Sequence, residues 1–166
     1  LSHLVLEHYE YYSHFYVADL NKNILCSPPA LHAPPDFEVC DHYRNLVAAT
    51  DYVYEGYHIC KNTGKAVLSI GYPIYDMGGG HSGVVNVSLD LQWFYDFSAK
   101  AGLPEGSELV VLDEEGTILS AYPDNETWRG ESGGENKALT QLFVKQGGTL
   151  IGKGFTGEEL ILAMTY

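Results

Sequence analysis

The stretch YVADLNKNILCSPP, residues 16–29, aligns without a gap on VVLDEEGTILSAYP, residues 110–123. In each, a short apolar run leads into a polar turn that begins with aspartate, and a second apolar run follows, which is typical of a β-hairpin. Five positions are identical: Val17 with Val111, Asp19 with Asp113, Ile24 with Ile118, Leu25 with Leu119, and Pro29 with Pro123. Chance similarity between two hairpins is the alternative, but a repeat of this kind predicts two copies of one folding unit.

A second pair of segments supports the repeat. The segment GKAVLSIGY, residues 64–72, resembles GEELILAMT, residues 157–165, at nearly the same offset, so turn-plus-strand units recur in the same order. The second copy begins near Gly106. In the first copy the strand Gly83–Leu89 follows, and the second copy has no counterpart of it. We therefore expect one module within residues 1–105, with a helix tail at its start, and an incomplete second module in residues 106–166.

The remaining segments of the first module alternate between helical and extended patterns. The opening residues, up to a change of pattern at Ser13, have near-helical apolar spacing and predict the end of an amphipathic helix, whereas prolines make the segment after the first hairpin irregular. The expected elements are helices at Asp41–Thr50 and Leu91–Ala101, and strands at Ser13–Asp19, Asn23–Ser27, Tyr52–Ile59, Ala66–Tyr75 and Gly83–Leu89. Tight turns between successive strands predict an α+β fold with antiparallel sheets.

Charge and hydropathy exclude two classes of partner. The formal net charge of −13 argues against nucleic acid, because affinity for phosphate backbones is carried mostly by Lys and Arg. No run approaches the roughly 20 apolar residues that cross a bilayer, so any membrane contact would come from segments outside this sequence. Cys26, Cys40 and Cys60 form no CxxC pair. They are either free thiols or one disulfide plus an odd cysteine, and we expect free, buried thiols.

Motifs for catalysis, metals and cofactors are absent from the sequence. The seven histidines form no HExxH, no GxSxG marks a nucleophile, and Gly78–Gly80 is not followed by the Lys-Ser/Thr of a phosphate loop. We expect no metal and no cofactor, and we expect the chain not to be an enzyme. A secreted hydrolase is the least favoured alternative.

Tyrosines are the most conspicuous feature of the first module. The chain has 13 of them. A tyrosine combines a large apolar ring with one hydroxyl, which suits a pocket that must enclose and orient a ligand. The alternative is that these side chains simply form the core. The cluster comprises Tyr43, Tyr52, Tyr54, Tyr57, Tyr72 and Tyr75.

Taken in order, seven segments resemble the double Cache family of extracytoplasmic PAS-like sensors: FYVADLNKNIL, DHYRNL, YVYEGYHI, TGKAVLSIGYPIYD, GVVNVSLDLQWF, ELVVLDEEGTILSAYPD and GKGFTGEELILAMTY. The resemblance implies two tandem PAS-like modules behind a long N-terminal helix, with a membrane-distal, ligand-binding module in residues 1–105 and part of a membrane-proximal one in residues 106–166. It also implies small-molecule sensing outside the cytoplasm, within a membrane receptor that dimerises through the N-terminal helix. The output would be a histidine kinase, a diguanylate cyclase or a chemoreceptor signalling domain.

The resemblance also directs attention to particular residues. Family members that bind amino acids have an Arg-x-aromatic-aromatic stretch for the ligand carboxylate and an aspartate for its ammonium group. Here Cys40 stands at the arginine position and Ser88 at the acidic one, so an ordinary α-amino acid is not the expected ligand. The expected pocket is walled by His42, Tyr43, Tyr54, Tyr57, Tyr72, Asn86 and Ser88. The alternative is a structural or interaction module whose pocket is filled by its own side chains.

Overall fold

The computed structural model describes residues 11–27, 37, 41–61 and 63–165. The predicted N-terminal helix before residue 11, the proline-rich segment and Cys40 lie outside these residues. The chain forms two compact units, which divide between Gln92 and Trp93. The helix that follows Leu91 is therefore grouped with the second unit, whereas the sequence repeat places the start of the second copy near Gly106.

The first unit is a five-stranded antiparallel sheet with one described helix. In chain order its elements are β1 (Tyr12–Asp19), β2 (Ile24–Cys26), α1 (Asp41–Ala48), β3 (Val53–Ile59), β4 (Ala66–Tyr75) and β5 (His81–Asp90). The strand order is β2-β1-β5-β4-β3, so the last strand of the unit lies at the centre of the sheet. The expected α+β class with an antiparallel sheet is confirmed, and β4 has the bounds that the sequence predicts.

One face of this sheet is covered by α1, which packs against β3, β4 and β5. The helix turns His42, Tyr43 and Leu46 inward, and all three are buried. Leu46 reaches the sheet at Gly71, where a Cβ would lie only 2.5 Å from its Cδ1 atom. We call this side of the sheet the α1 face. Strand alternation and register place on it His14, Tyr16, Ala18, Val67, Ser69, Gly71, Val84, Asn86 and Ser88.

The α1 face has an apolar half and a polar half. The apolar half is a cluster of buried side chains in which the Tyr43 and Phe37 rings lie 4.3 Å apart and Tyr16 packs edge-on against Phe37. Leu46, Ala18 and Val84 complete it. This cluster fixes α1 on the sheet, so that the helix holds His42 over the polar half.

The second unit contains two separate hairpins. Its elements are α2 (Gln92–Lys100), β6 (Leu109–Leu112), β7 (Ile118–Tyr122), α3 (Asn125–Trp128), a 3-10 turn (Gly133–Glu135), α4 (Lys137–Val144), β8 (Gly148–Lys153) and β9 (Glu159–Met164). Strands β6 and β7 form one antiparallel pair, and β8 and β9 form the other. Asn136 caps α4 by accepting hydrogen bonds from Ala138 N and Leu139 N, and it also donates to Lys153 O at 3.1 Å.

The repeated hairpins have the same turn in both units. Asp19 Oδ1 accepts hydrogen bonds from the backbone amides of Asn21 and Asn23, at 2.9 and 2.8 Å. Asp113 Oδ1 does the same for Glu115 and Thr117, at 3.1 and 2.7 Å. The third residue after each aspartate has a positive φ, 69° at Lys22 and 82° at Gly116. The aspartate identified in the sequence is thus the residue that closes each turn.

Candidate ligand-binding site

A buried polar network occupies the polar half of the α1 face. Five elements of the first unit contribute to it, because register brings β1, β3, β4 and β5 side by side beneath α1. Polar side chains lose hydration when they are buried, and the fold tolerates them in its interior only when they pair with one another or with a ligand. We use the name polar network for His14, His42, Glu55, Cys60, Ser69, Asn86 and Ser88.

His42 connects the helix to two strands. Its Nε2 atom lies 2.8 Å from Asn86 Oδ1, and its Nδ1 atom lies 3.2 Å from Glu55 Oε2. Both imidazole nitrogens therefore lie near oxygen atoms that can accept hydrogen bonds. The pKa of Glu55 is lowered chiefly by its hydrogen bond with His42, although burial of the carboxylate raises it. The charge of His58, whose Nε2 atom lies 3.8 Å from Glu55 Oε2, lowers the pKa of Glu55 further.

The other side of the network centres on Ser88. Its Oγ atom lies 2.6 Å from Ser69 Oγ, 3.2 Å from His14 Nε2 and 3.4 Å from Asn86 Nδ2. The opposite nitrogen of His14 faces Cys60 Sγ at 4.0 Å. Burial raises the pKa of the Cys60 thiol, but hydrogen bonds with His14 and Thr63 outweigh it and lower this pKa to about 6. Cys60 and Cys26 are both free.

The structure brings together three of the seven residues expected to wall a pocket: His42, Asn86 and Ser88. Tyr43 lies on the same side of the sheet but belongs to the apolar cluster, and its hydroxyl donates to Asp19 O at 3.0 Å. Tyr54 and Tyr72 lie on the opposite face, at register positions facing Ile70 and Val85, and both are exposed. Those two side chains and His42 cannot wall one pocket, because the sheet separates them.

Tyr57 lies in β3 where the register shifts between Glu55 and His58. This register shift changes which side chains of β3 lie next to each other. In a regular strand, residues three apart point to opposite faces, whereas the shift lets Glu55 and His58 approach each other on one side. Tyr57 is half-buried there.

Sequence reasoning did not identify His14, Glu55, Cys60 or Ser69 as members of a site. One available signal is the period-two pattern of polar residues on the strands: His14 in β1, Ser69 in β4, and Asn86 with Ser88 in β5 all occupy positions where a core strand would carry apolar residues. The part of the chain that the structure describes has no group of three His, Cys, Asp or Glu side chains placed to hold a metal ion. The same residues include no helix long and apolar enough to cross a membrane.

Neither a protein-family model nor a curated protein matches this sequence, but its structure is similar to solved sensor domains. The extracellular domain of the histidine kinase rpHK1S-Z16 aligns with a TM-score of 0.77 at 17% identity, over 97% of this chain and 68% of that one. The ligand-binding domain of the Campylobacter jejuni chemoreceptor Tlp3, solved with 4-methylisoleucine, gives a TM-score of 0.64 at 17% identity, over 96% of this chain and 62% of that one.

A further similar structure is the ligand-binding domain of the Pseudomonas fluorescens chemoreceptor CtaA with L-serine, with a TM-score of 0.57 at 22% identity, over 86% of this chain and 62% of that one. The chain thus spans about two thirds of the length of these three structures. At these identities the similarity concerns the fold. The chain has the fold of the extracellular sensor domains of histidine kinases and chemoreceptors, as its resemblance to the double Cache family predicts.

Proposed function

We propose that this chain is an extracytoplasmic sensing domain of a transmembrane signalling receptor, and that its first unit binds a small molecule on the α1 face. The polar network is the observation that carries the proposal. Asn86 and Ser88 are almost fully buried at the centre of the sheet, where apolar residues would stabilise the fold more. The fold shared with extracellular sensor domains supports the same function. Binding, not catalysis, would then be the output of the domain.

The proposed contacts are His42, Asn86 and Ser88, with Glu55 holding His42 in place. Asn86 and His42 can each donate and accept hydrogen bonds, so the site suits a small polar ligand. Ser88 carries no charge to pair with an ammonium group, which favours a ligand other than an ordinary α-amino acid. The similar structures of Tlp3 and CtaA contain 4-methylisoleucine and L-serine, so amino acids belong among the compounds to be tested.

The repeated Asp19 and Asp113 turns support the further proposal that the units are tandem copies of one PAS-like module. The divisions at residues 1–105 and 106–166, the N-terminal helix and dimerisation through it remain predictions.

Isothermal titration with panels of amino acids, organic acids, amines and sugars tests the ligand site. Saturable binding is expected, and Asn86→Ala should weaken it by roughly 5- to 150-fold, because leaving the partner of a buried hydrogen bond unpaired costs roughly 1–3 kcal/mol. Tyr72→Phe, on the opposite face, is the matched control and should leave the affinity unchanged. Binding that needs the Tyr72 hydroxyl but not Asn86 would place the site on the other face and contradict the proposal.

A second candidate is a structural or interaction module in which the network fills its own pocket. The short Ser69–Ser88 and His42–Asn86 contacts favour it, because these groups already satisfy one another. This function predicts that no compound binds, and that Asn86→Ala lowers the melting temperature while leaving the binding of a native protein partner unchanged.

A further inference from the structure

Cys60 is a buried cysteine that lies close to the surface, at the start of the turn between β3 and β4. Its backbone closes this turn: Cys60 N donates a hydrogen bond to Lys65 O at 2.8 Å, and Gly64 N donates one to Cys60 O at 2.7 Å. The turn residues Lys61, Thr63, Gly64 and Lys65 are exposed, and β3 is an edge strand of the sheet. The thiol is therefore near solvent although Cys60 itself is only 6% exposed.

Hydrogen-bonding groups from two separate parts of the chain face the Cys60 sulfur. The side chain and the backbone of Thr63, in the turn, form hydrogen bonds with it. His14, in β1, places its Nδ1 atom 4.0 Å from the same sulfur. Donors in this arrangement stabilise a thiolate more than a thiol. Although burial raises the pKa of Cys60, these contacts lower it to about 6, so the thiolate predominates at neutral pH.

The surroundings of Cys60 differ from those of a cysteine that only fills space, which has apolar neighbours and an inert thiol. His14 is itself buried, and its Nε2 atom lies 3.2 Å from Ser88 Oγ, which holds the imidazole ring in place. Cys26 gives the contrast within the same unit. It lies in β2 and is half-buried, and among the residues that the structure describes nothing forms a hydrogen bond with its sulfur. The contact with a histidine therefore distinguishes Cys60 from Cys26.

The small exposure of Cys60 restricts the reagents that can reach its sulfur. A hydroperoxide is a suitable reagent, because only its terminal oxygen has to touch the thiolate. The reaction also releases a hydroxide or an alkoxide, which needs a proton. His14 lies beside the sulfur and is placed to supply that proton as a general acid.

We propose that Cys60 is a modification site, at which a small hydroperoxide such as hydrogen peroxide oxidises the thiolate to a sulfenic acid with His14 as the proton donor. The sulfur attacks the terminal peroxide oxygen, and the S–O bond forms as the O–O bond breaks. The sulfur loses two electrons and the peroxide gains them. The leaving oxygen takes from His14 the proton that the thiol gave up, and it departs as water or an alcohol. This reaction requires no ligand on the α1 face.

The rate that ionisation alone explains can be calculated. A thiol with a pKa of about 6 is roughly thirty times more ionised at about pH 7 than an ordinary thiol. Its lower nucleophilicity offsets about tenfold of that advantage, so ionisation contributes only about threefold. Proton transfer by a general acid contributes roughly a hundredfold or more where it is well placed. An advantage above about threefold therefore reports the action of His14.

The test compares two variants that each keep one cysteine of the first unit. Cys26→Ser with Cys40→Ser retains Cys60, and Cys40→Ser with Cys60→Ser is the matched control that retains Cys26. Each is treated with hydrogen peroxide, quenched with catalase at successive times, and unfolded in urea that contains dimedone, which traps sulfenic acids. Mass spectrometry then measures the labelled fraction. Cys60 should be oxidised roughly tenfold or more faster than Cys26 in the folded proteins, and the two rates should be similar when both chains are unfolded before the peroxide is added.

The role of His14 is tested in the variant that retains Cys60. His14→Gln should slow oxidation of Cys60 by roughly tenfold or more, whereas His81→Gln, which changes a histidine that contacts Gly83 O, should leave the rate unchanged. Thermal denaturation establishes that each variant is folded. If His14→Gln does not fold, the comparison of Cys60 with Cys26 decides. The proposal is overturned if Cys60 reacts no more than about threefold faster than Cys26, or if a folded His14→Gln variant reacts as fast as its parent.

Discussion

Replacing Gly71 with alanine should lower the free energy of unfolding of the first unit, because the structure leaves no space for a Cβ at this position. A Cβ at this position would lie 2.5 and 2.6 Å from the two methyl carbons of Leu46 and 2.9 Å from the backbone oxygen of Val85. Gly71 has no positive φ, so lack of space, not backbone strain, is the cause. Overpacking a buried site costs about 1–3 kcal/mol, and contact with an immobile backbone atom puts this case near the upper end. At about 4–8 °C per kcal/mol for a unit of this size, thermal denaturation should shift down by roughly 10–20 °C.

The same substitution should affect the ligand site, because Gly71 pairs with Asn86 in the sheet and admits the helix that carries His42. Gly78→Ala is the matched control, since its new Cβ would meet only the side chain of Asp76, at 3.3 Å. A cycle with Leu46→Ala, which alone costs about 2–5 kcal/mol, should show that the double variant is less destabilised than the sum of the single ones. The reasoning is refuted if Gly71→Ala melts like the Gly78→Ala control, or if the two effects add.

Two further predictions follow from the turns and from the network. Asp19→Ala and Asp113→Ala should lower the melting temperature by similar amounts, because each removes the acceptor of the turn's backbone hydrogen bonds. The Asp19→Asn and Asp113→Asn variants should be much milder, since an amide oxygen can accept the same hydrogen bonds. Asn variants that destabilise as much as the Ala variants would contradict this prediction. In a background with the other two cysteines changed to serine, thiolate absorbance near 240 nm should report Cys60 as ionised above a midpoint at about pH 6. His14→Ala should move that midpoint upward, and an unchanged midpoint would remove His14 as the cause.

The order of the elements and most of their bounds follow from the sequence because they depend on local patterns. Turn residues and period-two alternation are properties of neighbouring residues. From them the sequence predicts both ends of β4 correctly, and it predicts the end of α1 two residues beyond its observed position. The side of the sheet that each strand residue faces could be read in the same way. Which side receives the helix could not.

Strand β4 shows why the sequence pattern predicts Tyr72 in the same pocket as His42. Its large apolar residues, Ile70 and Tyr72, alternate with the small residues Ser69 and Gly71. Hydrophobicity alone predicts that the large side chains face the interior, but α1 packs on the small ones, because Gly71 leaves room for Leu46. Close packing of a helix needs space on the sheet as much as it needs apolar area. The register shift in β3, which brings Glu55 into the network, likewise has no strong local signal in the sequence.

The two units bury different chemistry beside their helices. Under α1 the central strand of the first unit presents Asn86 and Ser88, whose burial weakens the fold unless their hydrogen bonds are satisfied. In the second unit α4 instead buries the apolar side chains of Leu139 and Leu142, which stabilise the fold by leaving water. A polar interior is selective, because only a partner with matching donors and acceptors replaces its hydrogen bonds. The polar network under α1 therefore suits recognition of a small polar ligand.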